Sequence, residues 1–390
     1  MKTVLVLGGD GFCGWPLALR LSQDGWHVVI VDNLARRKTD VEQGTQSLVP
    51  IATMEKRLET WKEVTGQTME FVLLDIAADY AGFERLLHER RPSALVHLAE
   101  QRSAPYSMRS ARTACYTVNN NLNATHNVLC AVARSGLDVH VVHIGTMGVY
   151  GYGAVPDTLI PEGYVDVEML GKEVSILHPA YPGSIYHLTK AQDALMFQFY
   201  AKNYGMRITD LHQGILWGTQ TEHTSLHTDL ANRVDYDEHY GTVLNRFLIQ
   251  ASTSRPLTVY GSGGQTRAFL NVGDSGRCVS IALENPPAAG ERVCIRNQMT
   301  ETLCVRTLAE RIVEAVPGTR VSYIPNPRKE LDTNTLEVCH EQFLTLGLKP
   351  VLLTKAHLTG IVREFGPWVE RCGFMDPTTT WNAVRPGRTS

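Results

Sequence analysis

Several features that would each announce a function are missing from these 390 residues. The eight cysteines (Cys13, Cys115, Cys130, Cys278, Cys294, Cys304, Cys339 and Cys372) form no CxxC pair, which argues against a zinc site and against the dense disulfide framework of a small secreted domain. Scattered cysteines of this kind read as small buried hydrophobes in a reducing compartment. The 14 histidines make no HExxH-type cluster, so no metal site is expected. A basic excess is missing too: 37 Lys and Arg against 40 Asp and Glu leave a formal charge of -3, whereas a nucleic-acid face would bias the balance the other way. No apolar run approaches membrane-spanning length, and Val4–Leu7, followed at once by glycines, is too short for a signal-peptide core. The expectation is a cytoplasmic protein with no nucleic-acid partner and no membrane insertion.

What the chain does contain is a rhythm. At 43% hydrophobic and 20% charged it can bury a substantial core, as one large domain or two unequal ones. Nearly continuous apolar runs predict strands at Thr3–Leu7, His27–Val31, Glu70–Leu74, Ala94–Leu98 and Val139–Ile144. Helical patterns lie between them, including Trp15–Gln23, Phe83–Arg90 and Asn121–Arg134. Strand–helix–strand repetition implies an α/β fold, a Rossmann-type doubly wound parallel sheet with right-handed crossovers. Two long segments interrupt it: Asn33–Thr68, with a helix-like stretch at Met54–Val64, and Gly151–Ser184, rich in Gly, Pro and acidic residues. Long insertions at the carboxyl ends of parallel strands commonly serve ligands. From about Leu216 the alternation weakens and breaks such as Gly261-Ser262-Gly263-Gly264 and Pro286-Pro287 multiply. We therefore expect a dinucleotide-binding unit over 1–215 and a smaller, mixed substrate unit over 216–390, with some chain crossing between them.

Gly8-Gly9-Asp10-Gly11-Phe12-Cys13-Gly14 sits between the first strand and the first helix, with glycines at Gly8, Gly11 and Gly14. A tight turn there needs a residue without Cβ, a pyrophosphate must approach the backbone amides, and the last glycine lets helix and strand pack closely. Asp32 ends the second strand, where an acidic side chain accepts from both ribose hydroxyls and repels a 2′-phosphate, favouring NAD as cofactor. The run Arg36-Arg37-Lys38 nearby is either a solvated turn or a contact to cofactor phosphate or ribose. Asp75-Ile76, after the third strand, would hold the adenine amine unless Asp75 only caps a turn. Leu98 and Ala99 end the fourth strand and would line the cofactor; Phe12, Cys13, Asn33 and Asn120 complete the candidate contacts.

Tyr186-His187-Leu188-Thr189-Lys190 opens a helical pattern, and residues four apart share a helix face. A phenol with its ordinary pKa of about 10 is a poor base at neutral pH. The Lys190 ammonium and the positive nicotinamide ring of bound NAD would favour phenolate, so that Tyr186 takes the proton of a sugar hydroxyl as the adjacent carbon is oxidised. Thr146, in Gly145-Thr146-Met147-Gly148-Val149-Tyr150-Gly151 after the fifth strand, would hold the same hydroxyl. His187 either protonates a leaving hydroxyl or faces solvent.

Loop, Asp32, Thr146, Tyr186 and Lys190 together resemble the extended short-chain dehydrogenase/reductase family, which includes the nucleotide-sugar epimerases and dehydratases. Longer strings are similar to those of its UDP-sulfoquinovose synthases: Glu100-Gln101-Arg102-Ser103-Ala104-Pro105-Tyr106-Ser107-Met108, Gly145-Thr146-Met147-Gly148, Tyr186-His187-Leu188, Gly264-Gln265-Thr266-Arg267 and Pro325-Asn326-Pro327-Arg328. The resemblance implies a UDP-glucose-like substrate oxidised at C4, loss of the C6 hydroxyl to a 4-keto-5,6-ene, addition of sulfite and re-reduction. It implies substrate contacts from Gln101, Arg102, Ser103, Thr146 and Met147, with Arg102 facing the incoming anion. Arg267 and Arg328 would clamp the diphosphate, with Gln213 and Asn245 as further candidates. It also implies a homodimer built on the helices around Asn121–Arg134 and Tyr186–Tyr204. Val149 stands where these enzymes carry a glutamate, and valine cannot move a proton. The base for the elimination is thus left open, and a 5,6-dehydratase or C4 epimerase is the alternative ending. A non-catalytic nucleotide binder would usually have lost the Tyr/Lys pair.

Overall fold

The computed structural model describes residues 2–151, 159–326 and 333–372. Its first part runs β1 (Thr3–Leu7), α1 (Gly14–Gln23), β2 (His27–Asp32), α2 (Ala35–Gln43), α3 (Met54–Thr65), β3 (Glu70–Leu73), α4 (Tyr80–Arg90), β4 (Ala94–His97), α5 (Ala104–Ser107), α6 (Ala111–Ser135) and β5 (His140–Thr146). There follow β6 (Leu159–Ile160), a hairpin of β7 (Tyr164–Met169) and β8 (Lys172–Leu177), α7 (Ile185–Tyr204), β9 (Arg207–Gln213) and β10 (Ile215–Trp217). The remainder begins with α8 (Val243–Ser252), β11 (Leu257–Tyr260), β12 (Gly264–Asn271), α9 (Val272–Glu284), β13 (Cys294–Gln298), β14 (Glu301–Cys304), α10 (Val305–Ala315) and β15 (Val321–Ile324). It ends with β16 (Thr333–Asn334), β17 (Glu337–Val338), α11 (Glu341–Thr345) and α12 (Lys355–Phe365).

Seven strands in the order β13-β9-β5-β4-β1-β2-β3 form one sheet, and every pairing in it is parallel. Alternate residues of each strand enter different cores, as the two-residue period requires. Val4, Val6, Val28, Ile30 and Val96 pack with Trp15 and Leu19 of α1 and Val279 of α9. Leu5, Leu7, Val29, Val31 and Leu95 pack on the other face with Phe83 of α4, Val128 of α6 and Phe197 of α7. Each such side chain, fully buried, contributes roughly 1.5–3 kcal/mol, so both faces must stay covered. The strand order reverses between β1 and β4, and the crevice beyond their carboxyl ends is where this sheet type takes a ligand.

The second half builds a core of its own around Phe247, Phe269, Leu308, Ile312, Leu358 and Phe365. It carries the small sheet β10-β12-β14 and the parallel pair β11–β15. β13 leaves that half and joins the main sheet beside β9.

The structure departs from the sequence reading in three places. Helix α6 starts at Ala111, ten residues before Asn121, because Ser110 and Thr113 form a reciprocal capping box that holds the polar run of its first turns. Helix α2 has no apolar stripe to betray it, since its partners are charges. Strands β9 and β13 bury Asp210, His212, Arg296, Asn297 and Gln298, so they do not read as apolar runs.

Candidate active site

The glycine loop is held by close approaches. Gly8 has φ +85°, and a Cβ there would fall 2.8 Å from the Leu98 carbonyl group, closing β1 against β4. A Cβ on Gly14 would lie 2.2 Å from the Gly8 oxygen, so α1 could not pack on the turn. A Cβ on Gly11 would meet only that same oxygen, at 3.2 Å, leaving open space in front of it. Helix α1 has no side-chain cap and no acidic residue in its first turn, so its amides and positive dipole end are left for an anion. These features fit a dinucleotide pyrophosphate.

A cleft of about 830 Å³, part of it open to solvent, extends from this loop. Of the expected cofactor contacts, Gly8, Gly11, Phe12, Asp32, Asn33 and Arg36 line it from the side of β1 and β2. Asp75, Ile76, Leu98, Ala99 and Asn120 line the other side. Asp32 is fixed by Leu34 N, which donates to Oδ1 at 2.7 Å, and Asp10 N, which donates to Oδ2 at 2.9 Å. Burial, and then the neighbouring Asp10 charge, push its carboxyl up to about 6. Both basic neighbours have other partners. Arg36 bridges Asp40, Asp235 (2.9 Å) and Asp237 (2.7 Å) and lies 3.9 Å over the Tyr240 ring. Arg37 forks onto Asp10 at 2.6 and 2.8 Å. No guanidinium of that run is therefore turned to a 2′-phosphate, which fits NAD. Asp75 accepts from Asn33 Nδ2 at 2.9 Å with one oxygen and from Ala77 and Ala78 amides with the other, so it also holds the turn.

Helix α7 carries the proton chemistry. Ser184 caps its start by accepting from His187 N, and Ser107 Oγ accepts from Tyr186 N at 3.1 Å. The Thr146 hydroxyl lies near the Tyr186 phenol and favours its ionised form, and Thr146 Oγ1 accepts from Gly148 N at 3.1 Å. Burial pushes the Tyr186 phenol up to about 12, against a lowering by Lys190. Lys190 Nζ donates to Ile144 O at 2.8 Å and pairs with Glu100 Oε2 at 3.0 Å. The His187 ring lies against Gly148, where an added Cβ would sit 2.3 Å from Nε2, and 5.3 Å from the Tyr186 ring. Gly148 is what lets the imidazole approach the Thr146 loop. Met147 and Val149 point into an apolar cluster with Ile160, Met299 and Leu336, so position 149 holds no proton donor or acceptor.

The substrate candidates separate. Arg102 faces the cleft, pairing with Asp235 and lying over the Tyr240 ring. Gln101 lines the cleft but donates to Ser103 O and Thr117 Oγ1, and Ser103 Oγ donates to His239 O, so both side chains brace their own loop. Gln213 donates to Ser275 and Gln298 and accepts from the Cys13 thiol at 3.7 Å. Asn245 donates to Asp235 O at 3.1 Å. Arg267 is buried on β12 and donates to Thr266 O. Arg328 lies outside the described residues.

Sequence reasoning missed the segment 231–240, which arches over the cofactor loop. Asn232 Nδ2 donates to Phe12 O at 3.0 Å, Arg233 pairs with Asp40 and Asp235, and Tyr240 enters the cleft. It alternates charge with aromatic residues and so offers no periodicity to find. The buried polar side chains of Glu100, His143 and Asp210 were also missed as a functional group, because they stand singly in the sequence, one after β4, one within β5 and one within β9.

Comparison with known proteins agrees with this geometry. The NAD dependent epimerase/dehydratase family model matches residues 4–295. The chain is 40% identical to the chloroplastic UDP-sulfoquinovose synthase of Spinacia oleracea, over 98% of this chain and 80% of that one. It is 37% identical to the UDP-sulfoquinovose synthase of Sulfolobus acidocaldarius, over 94% and 93%. Among solved structures, the UDP-glucose 4-epimerase of Thermotoga maritima with UDP-glucose superposes with a TM-score of 0.69 at 21% identity, over 93% of this chain and 98% of that one. The Thermus thermophilus UDP-glucose 4-epimerase in complex with NAD gives 0.64 at 24%, over 93% and 98%, and both share the fold. The chain therefore belongs to the NAD dependent epimerase/dehydratase family, on its UDP-sulfoquinovose synthase branch.

Proposed function

We propose that this chain converts UDP-glucose and sulfite to a UDP-linked 6-sulfo sugar, by oxidation at C4, elimination of the C6 hydroxyl, sulfite addition and re-reduction. The observation that carries the reading is the convergence of Thr146, Tyr186 and Lys190, with Lys190 paired to Glu100, which lines the cleft, in a chain alike over nearly its full length to UDP-sulfoquinovose synthases. Bound NAD supplies a reversible hydride acceptor, so it is not consumed. Gly8, Gly11 and the start of α1 hold its pyrophosphate, and Asp32 its ribose. Tyr186, as phenolate, takes the O4 proton while Thr146 orients that hydroxyl. The ketone acidifies C5–H. With Val149 sealed in an apolar cluster, His187 beside Gly148 is the proton carrier left for the elimination. Arg102, held by Asp235 at the cleft, draws the sulfite anion. Arg267 and Arg328 are assigned to the diphosphate.

We further assign a dinucleotide-binding unit to residues 1–215 and a smaller nucleotide-sugar unit to 216–390, with some chain crossing between them: Tyr240 reaches the cofactor cleft, and Arg102, Thr146 and Tyr186 serve the sugar. A homodimer through α6 and α7 accounts for the outward Leu195, Phe199 and Tyr204 of α7 and Tyr116 of α6. No described helix is long and apolar enough to cross a membrane, and we carry forward a cytoplasmic location. The test uses UDP-glucose labelled with ¹⁸O at C6, with and without sulfite, read by mass spectrometry. The expected product has lost the label and gained a sulfonate. A label-free 5,6-ene with no sulfonate, or a C4 epimer that keeps its label, would replace this reading with a dehydratase or an epimerase; the sealed Val149 is what favours that second reading.

A further inference from the structure

Behind Tyr186 lies a group of buried charges that the chemistry above leaves unused. Glu100 follows β4, His143 lies on β5, and Asp193 lies one turn beyond Lys190 on α7. His143 Nε2 is 2.9 Å from Lys190 Nζ and 3.1 Å from Glu100 Oε1, and Glu100 Oε2 is 3.0 Å from the same Nζ. Asp193 Oδ2 lies 3.9 Å from His143 Nε2, and neither Asp193 oxygen has a well-formed hydrogen bond, although its residue is 0% exposed. The neighbours on the remaining sides are His97 of β4, 3.5 Å from Glu100, the Thr125 hydroxyl of α6, and Asp210 of β9. Asp210 accepts from His143 Nδ1 at 2.8 Å and meets His212 Nε2 at 3.0 Å, and His212 Nδ1 lies 2.7 Å from the Tyr150 hydroxyl.

The contacts cannot all be satisfied by one placement of protons. When Lys190 donates to His143 Nε2, the single lone pair of that nitrogen is taken and it has no hydrogen for Glu100, so the 3.1 Å contact to Glu100 goes unmade. When Glu100 is ionised, it pairs with Lys190 and His143 Nε2–H serves it instead. An unpaired carboxylate sealed at Asp193 would be costly, whereas a carboxylic acid there is tolerated. The cluster therefore has more sites for a proton than protons to fill them.

We propose that Glu100, His143 and Asp193 hold one shared proton whose position sets how strongly Lys190 acidifies Tyr186. With the proton on Asp193, Glu100 is a carboxylate whose charge cancels the ammonium as felt at the phenol. With the proton moved to Glu100, Lys190 acts on the phenol unopposed. The move is an isomerisation: the Asp193 carboxyl turns to close its 3.9 Å gap to His143 Nε2, its O–H bond breaks as Nε2 takes the proton and yields it to Glu100 Oε1, and no electrons are exchanged. Lys190 and Glu100 pull the phenol in opposite directions, as this requires. These are positioning residues, and the proposal rests on Tyr186 being the base assigned above.

The test titrates Tyr186 by ¹³C NMR of ring-labelled tyrosine in the full chain with NAD bound and no sugar present; Tyr186→Phe identifies the signal. Glu100→Gln, which cannot hold the cancelling charge, should lower the Tyr186 pKa by about one unit or more. Asp193→Asn, neutral like the protonated acid but with no proton to release to Glu100, keeps Glu100 ionised and should raise it or leave it high. The acidic limb of the kcat profile should follow in the same two directions. Shifts of equal sign, or no shift in Glu100→Gln, overturn the proposal. Should Asp193→Asn fail to fold, infrared spectra of the ¹³C-aspartate-labelled wild type decide: a buried carboxylic acid band at neutral pH is expected, and its absence overturns the shared proton. Neither spectroscopic readout involves the sugar, so inactivity toward UDP-glucose would sink the function and leave this result standing.

Discussion

Asp32 makes NAD binding a titration. Burial in the cleft moves its carboxyl from 3.8 to about 6, which corresponds to about 3 kcal/mol against the ionised form. The ribose hydroxyls donate to the carboxylate and favour ionisation, so the cofactor recovers part of that cost. Above about pH 6 the group is ionised in both states and affinity is flat. Below it, binding must first expel a proton, and NAD affinity should fall toward tenfold for each pH step, to a limit of about 100-fold if the bound carboxyl returns near its ordinary value. Calorimetry of nucleotide-stripped protein at pH 6, in two buffers of different ionisation heat, should show release of about half a proton per NAD. The sign for folding is opposite. The folded value lies above the unfolded one, so this group's contribution to stability is present below pH 3.8 and is lost as the pH rises through about 6. Asp32→Asn should remove both effects. Equal pH dependence in that variant, or no proton released at pH 6, would refute the assignment.

Tyr186→Phe should lower turnover by about 10²- to 10⁴-fold with little change in NAD affinity; single-turnover absorbance of reduced cofactor would report it. Gly148→Ala pushes a methyl into the His187 ring, so it should slow the steps after C4 oxidation more than the oxidation itself. In a His187→Ala background the same methyl should cost almost nothing, and a double-mutant cycle read on kcat checks that. Arg57 is wholly buried between Asp10, Ala231 O and the Trp15 ring. Arg57→Leu strips a buried ion pair and should cost about 3 kcal/mol in urea unfolding, with NAD restoring part of it.

Legibility followed the kind of force involved. β1 to β5, the helices α1, α3 and α4 and the later part of α6 could be read because apolar burial leaves a period in the sequence, and the glycine loop because a missing Cβ is visible as a letter. Asp32, Tyr186 and Lys190 were found through spacing. Where charge does the packing, nothing repeats: Arg36 and Arg233 tie α2 to residues 233–237 through Asp40, Asp235 and Asp237, across nearly 200 positions. The Glu100–His143–Asp193 group assembles from three separate elements and leaves no local pattern. Gln101 and Ser103 sit in a string that reads as ligand-binding, while their hydrogen bonds hold the string's own shape.

The placement of β13 governs how the molecule can be made. Ribosomal synthesis delivers β5 and β9 long before residues 294–298, so for about 80 codons the growing sheet ends in an open β9 edge, where the outward backbone groups of Thr209–Gln213 await β13. The polar buried side chains of β9, Thr209, Asp210 and His212, disfavour adhesion of that edge to another chain in the interval. A fragment stopped near residue 215 would keep the cofactor loop yet lack its closing strand. Engineers who wish to borrow the nucleotide-binding half would thus have to carry Cys294–Gln298 along with it.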